Sequence, residues 1–271
     1  MRTGLFIYMV LFLTIPSLTR AQEPPEESDV VVTTQFWTDF NAYHEKDERH
    51  SWSGQLGFRT ITPNHWNKFV LVPTYNILNT KSPAFLNRKK KPLIYSYHLG
   101  GGLFYTKNKE EPNNMEFRLM QGLKFFLPSF EALPLKNYFR FEQRLQKTFS
   151  GGDWSLSARL RYKLSTVIEW DSKVFSFNEG LYIPLSIEFF YSLEEADRFN
   201  DVIRISPGLG YKLNNDWRGE FYISYHYSTN VSSVDDYSNE FVFRLRIFKS
   251  SSDVKAKLPK TKEEEMIELI E

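Results

Sequence analysis

The chain has 271 residues, and its 34 Lys and Arg residues nearly balance its 33 Asp and Glu residues, which leaves a formal net charge of +1. Without a global basic excess to release counterions, nothing favours a nucleic-acid partner. The absence of cysteine excludes disulfides, thiolate metal sites and cysteine nucleophiles. Aromatic residues make up 17% of the chain although hydrophobic residues reach only 41%, so many large rings lie on a chain that is not apolar overall.

The N-terminus has the order of regions that is typical of a secretory signal peptide. Arg2 precedes an uncharged apolar run over 4–18, and the tripeptide Thr-Arg-Ala at 19–21 gives a small-x-small cleavage pattern. The run is shorter than the ~20 residues of a membrane-spanning helix. We therefore predict a signal peptide over 1–21 and a short periplasmic segment over 22–29, with a retained membrane anchor as the alternative.

Beyond this segment, apolar and polar side chains alternate in stretches of about ten residues, which is the pattern of transmembrane β-strands. The apolar positions hold many Phe, Tyr and Trp residues, whereas the buried face of a soluble sheet would favour Val, Ile and Leu. The alternating segments lie, in chain order, near 30–42, 51–62, 66–78, 92–106, 114–128, 137–145, 154–164, 174–191, 200–213, 217–227 and 240–247.

These segments predict an all-β, single-domain fold, a transmembrane antiparallel β-barrel over 30–249 with about twelve strands and about ten as the alternative. The segments come to an odd number, but single-chain bacterial barrels have an even number, and the long region 166–191 has room for one more strand. Residues 250–271 lack the alternation and end in EEEMIELIE. We expect them to form a charged, mobile tail on the periplasmic side.

Tryptophans come directly after runs of turn-forming residues. Trp66 follows Thr-Pro-Asn-His, Trp154 follows Ser-Gly-Gly-Asp, and Trp217 follows Leu-Asn-Asn-Asp. Because amphipathic rings are typical of the two interfaces of a membrane, we predict that these tryptophans are interface anchors.

Charged residues fall on the polar positions of the strands. An Arg or Lys on the lipid side would cost about 2–4 kcal/mol near the bilayer midplane, so these side chains are predicted to face the lumen. Basic residues outnumber acidic ones there, which favours a narrow channel for small, anionic solutes. A packed interior cross-linked by Arg–Glu pairs is the alternative. The predicted lumen and selectivity residues are Arg140, Glu142, Arg144, Arg159, Arg161, Lys163, Arg204, Arg218, Glu220, Arg244 and Arg246.

Several local patterns resemble those of one outer-membrane family. They are QFW at 35–37, RFEQRL at 140–145, SARLRYKLS at 157–165, IRISPGLGYKL at 203–213 and NEFVFRLRIF at 239–248. Over 34–249 the chain thus resembles the domain of unknown function 2490 family, found mainly in Bacteroidota. The resemblance implies a β-barrel in the outer membrane of a Gram-negative cell and brings no known activity or site residue.

A second hypothesis is a lipid hydrolase. His226 and Ser228 are two apart on a strand and share a face, and Glu240 across a hairpin is placed to orient the imidazole. The segment resembles the His-x-Ser element of outer-membrane lipid A deacylases and, less closely, of phospholipases. The resemblance implies Ser228 as nucleophile, His226 as base and Glu240 as orienting acid. Against it, Thr229 stands where the deacylase pattern has asparagine, and the face is that of the charged lumen residues, so enzymatic activity stays the alternative.

The remaining predictions concern cofactors and partners. The other histidines show no metal-ligand spacing and there is no nucleotide-binding motif, so neither a metal nor a cofactor is predicted. Expected partners are outer-membrane lipid, lipopolysaccharide near the basic run 88–91, and the barrel-assembly machinery. A third hypothesis is a structural or docking barrel whose tail over 250–271 binds a periplasmic partner.

Overall fold

The computed structural model describes residues 31–62, 66–78, 94–109, 111–126, 135–169, 180–193, 200–213, 216–229 and 237–253. The predicted signal peptide over 1–21, the predicted segment over 22–29, the basic run 88–91 and the part of the predicted tail beyond residue 253 lie outside these residues.

The described residues are organised as β-strands joined by turns and connections. The strands are β1 (Val31–Glu45), β2 (His50–Thr62), β3 (Trp66–Leu78), β4 (Ile94–Asn108), β5 (Asn114–Phe126), β6 (Lys136–Thr148), β7 (Ser155–Glu169), β8 (Leu181–Ser192), β9 (Asn200–Lys212), β10 (Trp217–Thr229) and β11 (Tyr237–Ser252). Within the part of the chain that the structure describes, no helix is long and apolar enough to cross a membrane.

The strands form one closed barrel in which each strand pairs with its neighbours in sequence and β11 closes on β1. The barrel therefore has eleven strands, and the prediction of about twelve, or of ten, was wrong. An even number follows only when the first and last strands are antiparallel. Here β1 and β11 pair in parallel while all other neighbours are antiparallel, and such a closure requires an odd number.

The parallel closing pair places the two ends of the barrel sequence at opposite ends of the barrel. Val31 lies opposite Ser238 near the start of β11, and Glu45 lies opposite Ser252 at its end. We call these the Val31 end and the Ser252 end. The connections at the Val31 end are 63–65, 109–113, 149–154, 193–199 and 230–236, and those at the Ser252 end are 46–49, 79–93, 127–135, 170–180 and 213–216.

The barrel wall separates apolar from polar side chains. The alternation of each strand turns polar and charged residues inward, where they are buried or half-buried. Large apolar side chains on the outer face are exposed, among them Phe36, Leu56, Phe69, Leu99, Phe117, Leu156, Tyr191, Leu209, Phe221 and Leu245. The core of this molecule is thus a polar interior, the reverse of the arrangement in an ordinary water-soluble domain.

The connection from β1 to β2 is a short turn closed by one carboxylate. Asp47 accepts hydrogen bonds from the backbone N–H groups of Arg49 at 2.8 Å and of His50 at 2.9 Å, and it lies 2.9 Å from the Nδ1 atom of His50. The hydrogen bond from the His50 ring, together with those from the backbone, lowers the pKa of Asp47 below its ordinary value. The turn fixes how β1 and β2 meet at the Ser252 end.

Candidate functional site in the barrel interior

The charged residues predicted to line the lumen all occupy inward-facing strand positions. None of them is exposed, and their side chains range from Glu142, which is 0% exposed, to Lys163, which is 28% exposed. The alternation in the sequence carried enough information for this placement. It did not tell which basic group pairs with which carboxylate, and the pairing decides what the interior can do.

Glu142, on β6, is the centre of the largest cluster of guanidinium groups. The Arg159 guanidinium donates two hydrogen bonds to its Oε2 atom, at 2.7 and 3.2 Å, and Arg140 forms an ion pair with its Oε1 atom. Arg118 and Arg161 approach the same carboxylate at 3.7 and 3.9 Å. One buried negative charge thus holds side chains from β5, β6 and β7 across the interior.

Glu188, on β8, extends this cluster to the next strands. Arg161 donates a hydrogen bond to it, Lys163 lies 3.4 Å from its Oε1 atom, and Arg204 lies 3.4 Å from its Oε2 atom. Because Arg161 contacts both Glu142 and Glu188, the two clusters form one continuous network.

Glu116, on β5, joins the same network through Arg118, which also approaches Glu142. Arg118 forms a bidentate pair with it at 2.7 and 2.8 Å, and Arg144 donates a hydrogen bond at 2.5 Å. Planar, bidentate pairs of this kind are among the strongest charge-assisted hydrogen bonds in proteins. Together these contacts cross-link β5 to β9 inside the barrel.

Trp37 forms an aromatic centre of the interior. Its ring is 5% exposed, and the guanidinium carbons of Arg59, Arg204 and Arg244 lie 3.9, 5.2 and 5.4 Å from its centroid. Arg244 in turn donates a hydrogen bond to Asp39 at 2.5 Å. Cations at these distances are attracted to the ring face. Sequence reasoning missed Trp37 as an interior residue, although it shares the polar parity of Gln35 and Asp39, which was the signal available.

The residues of the hydrolase hypothesis are brought together only in part. His226 lies directly opposite Glu240, with 3.8 Å between Nδ1 and Oε2, and its ring contacts Trp37 with 5.3 Å between ring centroids. His226 is 1% exposed and faces the interior. Ser228 lies on β10, but its side chain is outside the described part of the structure. A lipid on the outer face of the wall has no contact with this imidazole, and the catalytic roles stay a prediction.

A second polar cluster lies near the Ser252 end. The hydroxyls of Tyr182 and Tyr222 donate hydrogen bonds to Glu220 at 2.9 and 2.7 Å. Arg246 donates to the same carboxylate at 3.3 Å, and Arg218 lies 3.8 Å from it. The carboxylate is therefore held on several sides by donors.

Glycines on β9 make room for these two rings. Gly210 lies opposite Tyr182 and Gly208 lies opposite Tyr222. A Cβ atom on Gly208 would lie 2.6 Å from a ring carbon of Tyr222, closer than real Cβ contacts allow. Small residues at both positions let the tyrosines lie flat against the wall.

The tryptophans predicted as anchors do not all face outward. Trp154 and Trp217 lie on outward-facing positions at opposite ends of the barrel, and Trp217 packs near Phe40 at 6.2 Å between ring centroids. Trp66 shares the inward parity of Lys68, whose ammonium lies 5.0 Å from its ring. Trp52, 50% exposed on the outer face near the Ser252 end, is an outward tryptophan that sequence reasoning did not single out.

The described residues contain no group of three or more His, Asp or Glu side chains that could hold a metal ion.

The family model described as "Protein of unknown function (DUF2490)" matches residues 34–238, which is most of the barrel. The chain belongs to the DUF2490 family. The predicted resemblance is thereby confirmed for the family, and the model's match ends at the start of β11. A search of the curated proteins finds no match for this DUF2490 chain.

Proposed function

We propose that this DUF2490 protein is an integral outer-membrane β-barrel. The observation that carries the proposal is the inverted polarity of the wall, with charges inside and large apolar side chains exposed outside. An exposed apolar belt of this size is an association hazard in water, whereas in a bilayer it is the lipid-facing surface. The protein would then be surrounded by outer-membrane lipid and lipopolysaccharide, and its insertion would depend on the barrel-assembly machinery.

The connections support an orientation for the inserted barrel. Outer-membrane barrels have short periplasmic turns and longer extracellular loops. The Val31 end carries the short connections 63–65 and 109–113, and the Ser252 end carries the long connections 79–93 and 170–180. We therefore place the Val31 end in the periplasm and the Ser252 end outside. In a spanning barrel with this closure, the segment before β1 and the tail after β11 lie on opposite sides, so the tail is proposed to be outside.

We further propose that the lumen is closed by its own side chains, so the protein acts as a structural or docking barrel rather than as an open pore. The support is the Glu142 network, in which a fully buried carboxylate ties arginines from three strands together. An interior filled and cross-linked in this way leaves no wide aqueous path at that level. The excess of basic groups that favoured an anion channel is largely engaged in ion pairs and in stacking on Trp37.

Electrical recording tests this proposal. The full chain is expressed, recovered from the outer-membrane fraction, shown to be folded by a heat-dependent shift in gel mobility, and added to a planar bilayer. We expect no steady conductance. Discrete anion-selective steps that are reversed in selectivity by Arg159→Glu and Arg161→Glu would contradict the closed lumen and support the channel instead. Absence from the outer-membrane fraction would contradict membrane insertion.

A further inference from the structure

Three inward-facing lysines lie near the Ser252 end of the lumen. Lys124 and Lys163 lie directly opposite Tyr138 on its two sides, and Lys136 is the next inward-facing residue of β6 toward that end. Directly opposite and diagonal neighbours on one face of a sheet are within reach of long side chains. We call Lys124, Lys136 and Lys163 the Lys136 cluster, because Lys136 is on β6, between the strands β5 and β7 that carry the other two lysines.

Lys136 is buried, and no described residue forms a hydrogen bond with its ammonium. Its side chain is 2% exposed, and its Nζ atom makes no hydrogen bond within the described structure. The same atom lies 5.2 Å from the centroid of the Tyr95 ring. Lys124 and Lys163 lie diagonal to it on the two neighbouring strands, so two of its nearest inward-facing neighbours are also basic. A buried ammonium among other cations is costly unless a negative charge lies beside it.

The carboxylates near this end already have partners. Glu188 is shared by Arg161, Lys163 and Arg204. Glu220 accepts hydrogen bonds from two tyrosines and from Arg246. Among the described residues, no ion pair joins either of these carboxylates to Lys136. Lys163 is therefore partly balanced by Glu188, whereas no ion pair among the described residues balances the charge of Lys136.

Space and a further donor lie next to the cluster. A cavity is lined by Lys163, Ser165, Arg218 and Glu220, among others. Ser165 lies directly opposite Lys136 across the β6–β7 pair, so the two residues are cross-strand neighbours on the inward face. Lys163 and Ser165 line the cavity itself, and Lys136 lies next to them on β6. A phosphate oxygen accepts hydrogen bonds from ammonium and hydroxyl groups of this kind.

We propose that the Lys136 cluster binds a tetrahedral oxyanion of the phosphate class, with Lys124, Lys136 and Lys163 as counter-charges and Ser165 as a hydroxyl donor. The group is either inorganic phosphate or the phosphate of a lipopolysaccharide, which share this chemistry. The site depends on the inward placement of the lysines and not on the closed-lumen or membrane proposals. It also does not need the basic run 88–91.

Thermal unfolding of the full chain in detergent, followed by circular dichroism, tests the site. We expect inorganic phosphate to raise the unfolding temperature in a saturable manner at constant ionic strength, because a ligand that binds only the folded state stabilises it. Chloride at the same ionic strength should not do so. No phosphate-dependent rise with any phosphate source would overturn the proposal.

Two variants locate the response. Lys136→Met removes the buried charge and keeps the length of the side chain, so it should raise the unfolding temperature without phosphate and weaken the phosphate response about ten-fold or more. The matched control is Lys147→Met, on the same strand at the opposite end, which should keep the full response. If Lys136→Met does not fold, Lys163→Met takes its place, with the same expected loss of response. A full response in the variant that folds would overturn the site.

The same assay distinguishes free phosphate from the phosphate of a lipopolysaccharide, and both from a carboxylate of the chain itself. A response to inorganic phosphate supports the free anion, whereas a response only to phosphorylated lipopolysaccharide, lost on dephosphorylation, supports the headgroup. The sequence also has Glu131 in the connection before β6, outside the described residues. If the wild type ignores phosphate and Glu131→Gln lowers the unfolding temperature, the chain's own carboxylate fills the site and the proposal is overturned.

Discussion

At the scale of single residues, Glu142 illustrates how one side chain organises the interior. It is completely buried, and its two oxygens face guanidinium groups from three strands. Because the buried carboxylate is removed from water, the cost of desolvating its charge must be offset by the arginines. The buried arginines depend on the carboxylate for the same reason. Its sequence neighbours show only that it faces inward. That it is the shared counter-charge follows from the pairing of β6 with β5 and β7.

Glu142→Gln should destabilise the barrel by about 3–5 kcal/mol, because it removes the charge that several buried arginines share. The measurement is the urea concentration at half-unfolding of the detergent-solubilised protein. Asp153→Asn, an exposed residue in the β6–β7 connection that changes net charge equally, is the control and should leave the midpoint nearly unchanged. Equal midpoints for both variants would show that the network adds no stability.

At the scale of strands, β9 is held less completely than its neighbours. Its pairing with β8 includes Tyr182–Gly210 and resumes at Leu185–Pro207. On its other side, the pairing of β9 with β10 is interrupted between Gly208 and Ile205, where Pro207 lies. Proline has no N–H group to donate, and Pro184 of β8 lies in the interrupted part of the β8–β9 pairing. Hydrogen bonds between strands are therefore missing on both sides of β9 near Pro207. By contrast, β6 is paired without interruption on both sides.

Amide hydrogen exchange should therefore be faster in β9 than in β6. We expect a peptide that covers 203–213 to exchange before one that covers 136–148, because local opening needs fewer hydrogen bonds to break. Mass spectrometry of the folded protein in detergent measures both in one sample. Pro207→Val, on the outward-facing side, restores an N–H donor and should slow exchange in β9 alone. Equal exchange of the two peptides in the wild type would contradict a weak seam.

At the scale of the whole molecule, the parallel β1–β11 pair sets the topology. Since the strands between them alternate in direction, the chain begins and ends the barrel at opposite ends. This property separates the molecule from even-stranded barrels, whose two termini share one side. It also means that the predictions of a periplasmic N-terminal segment and of a periplasmic tail do not both hold for a spanning barrel.

Epitope tags test this arrangement in intact cells. A tag after residue 271 should be accessible to antibody, whereas a tag after residue 22 should become accessible only when the outer membrane is permeabilised. Tags in the connections 79–93 and 149–154 are the controls, since they lie at the Ser252 end and the Val31 end respectively. If both terminal tags behave alike, the barrel does not span the membrane with an odd number of strands.

Local pattern was sufficient to locate most strands and their faces. The segment predicted at 66–78 coincides with β3, and that at 200–213 differs from β9 by one residue at its end. Of the long segment predicted at 174–191, the part from Leu181 onward lies in β8, and residues 174–179 lie outside the described residues. A period of two is a property of each strand by itself, which is why the sequence determined both the all-β class and the inward placement of the charges.

Only the tertiary structure decided how the wall closes and which charges pair. Val31 and Ser238 are far apart in sequence, and no local pattern distinguishes a parallel closing pair from an antiparallel one. Likewise, alternation turns Lys136 inward but does not reveal that its ammonium makes no hydrogen bond to any residue that the structure describes. Closure and charge pairing depend on the register between strands, and register is set by contacts across the whole barrel rather than by any one segment.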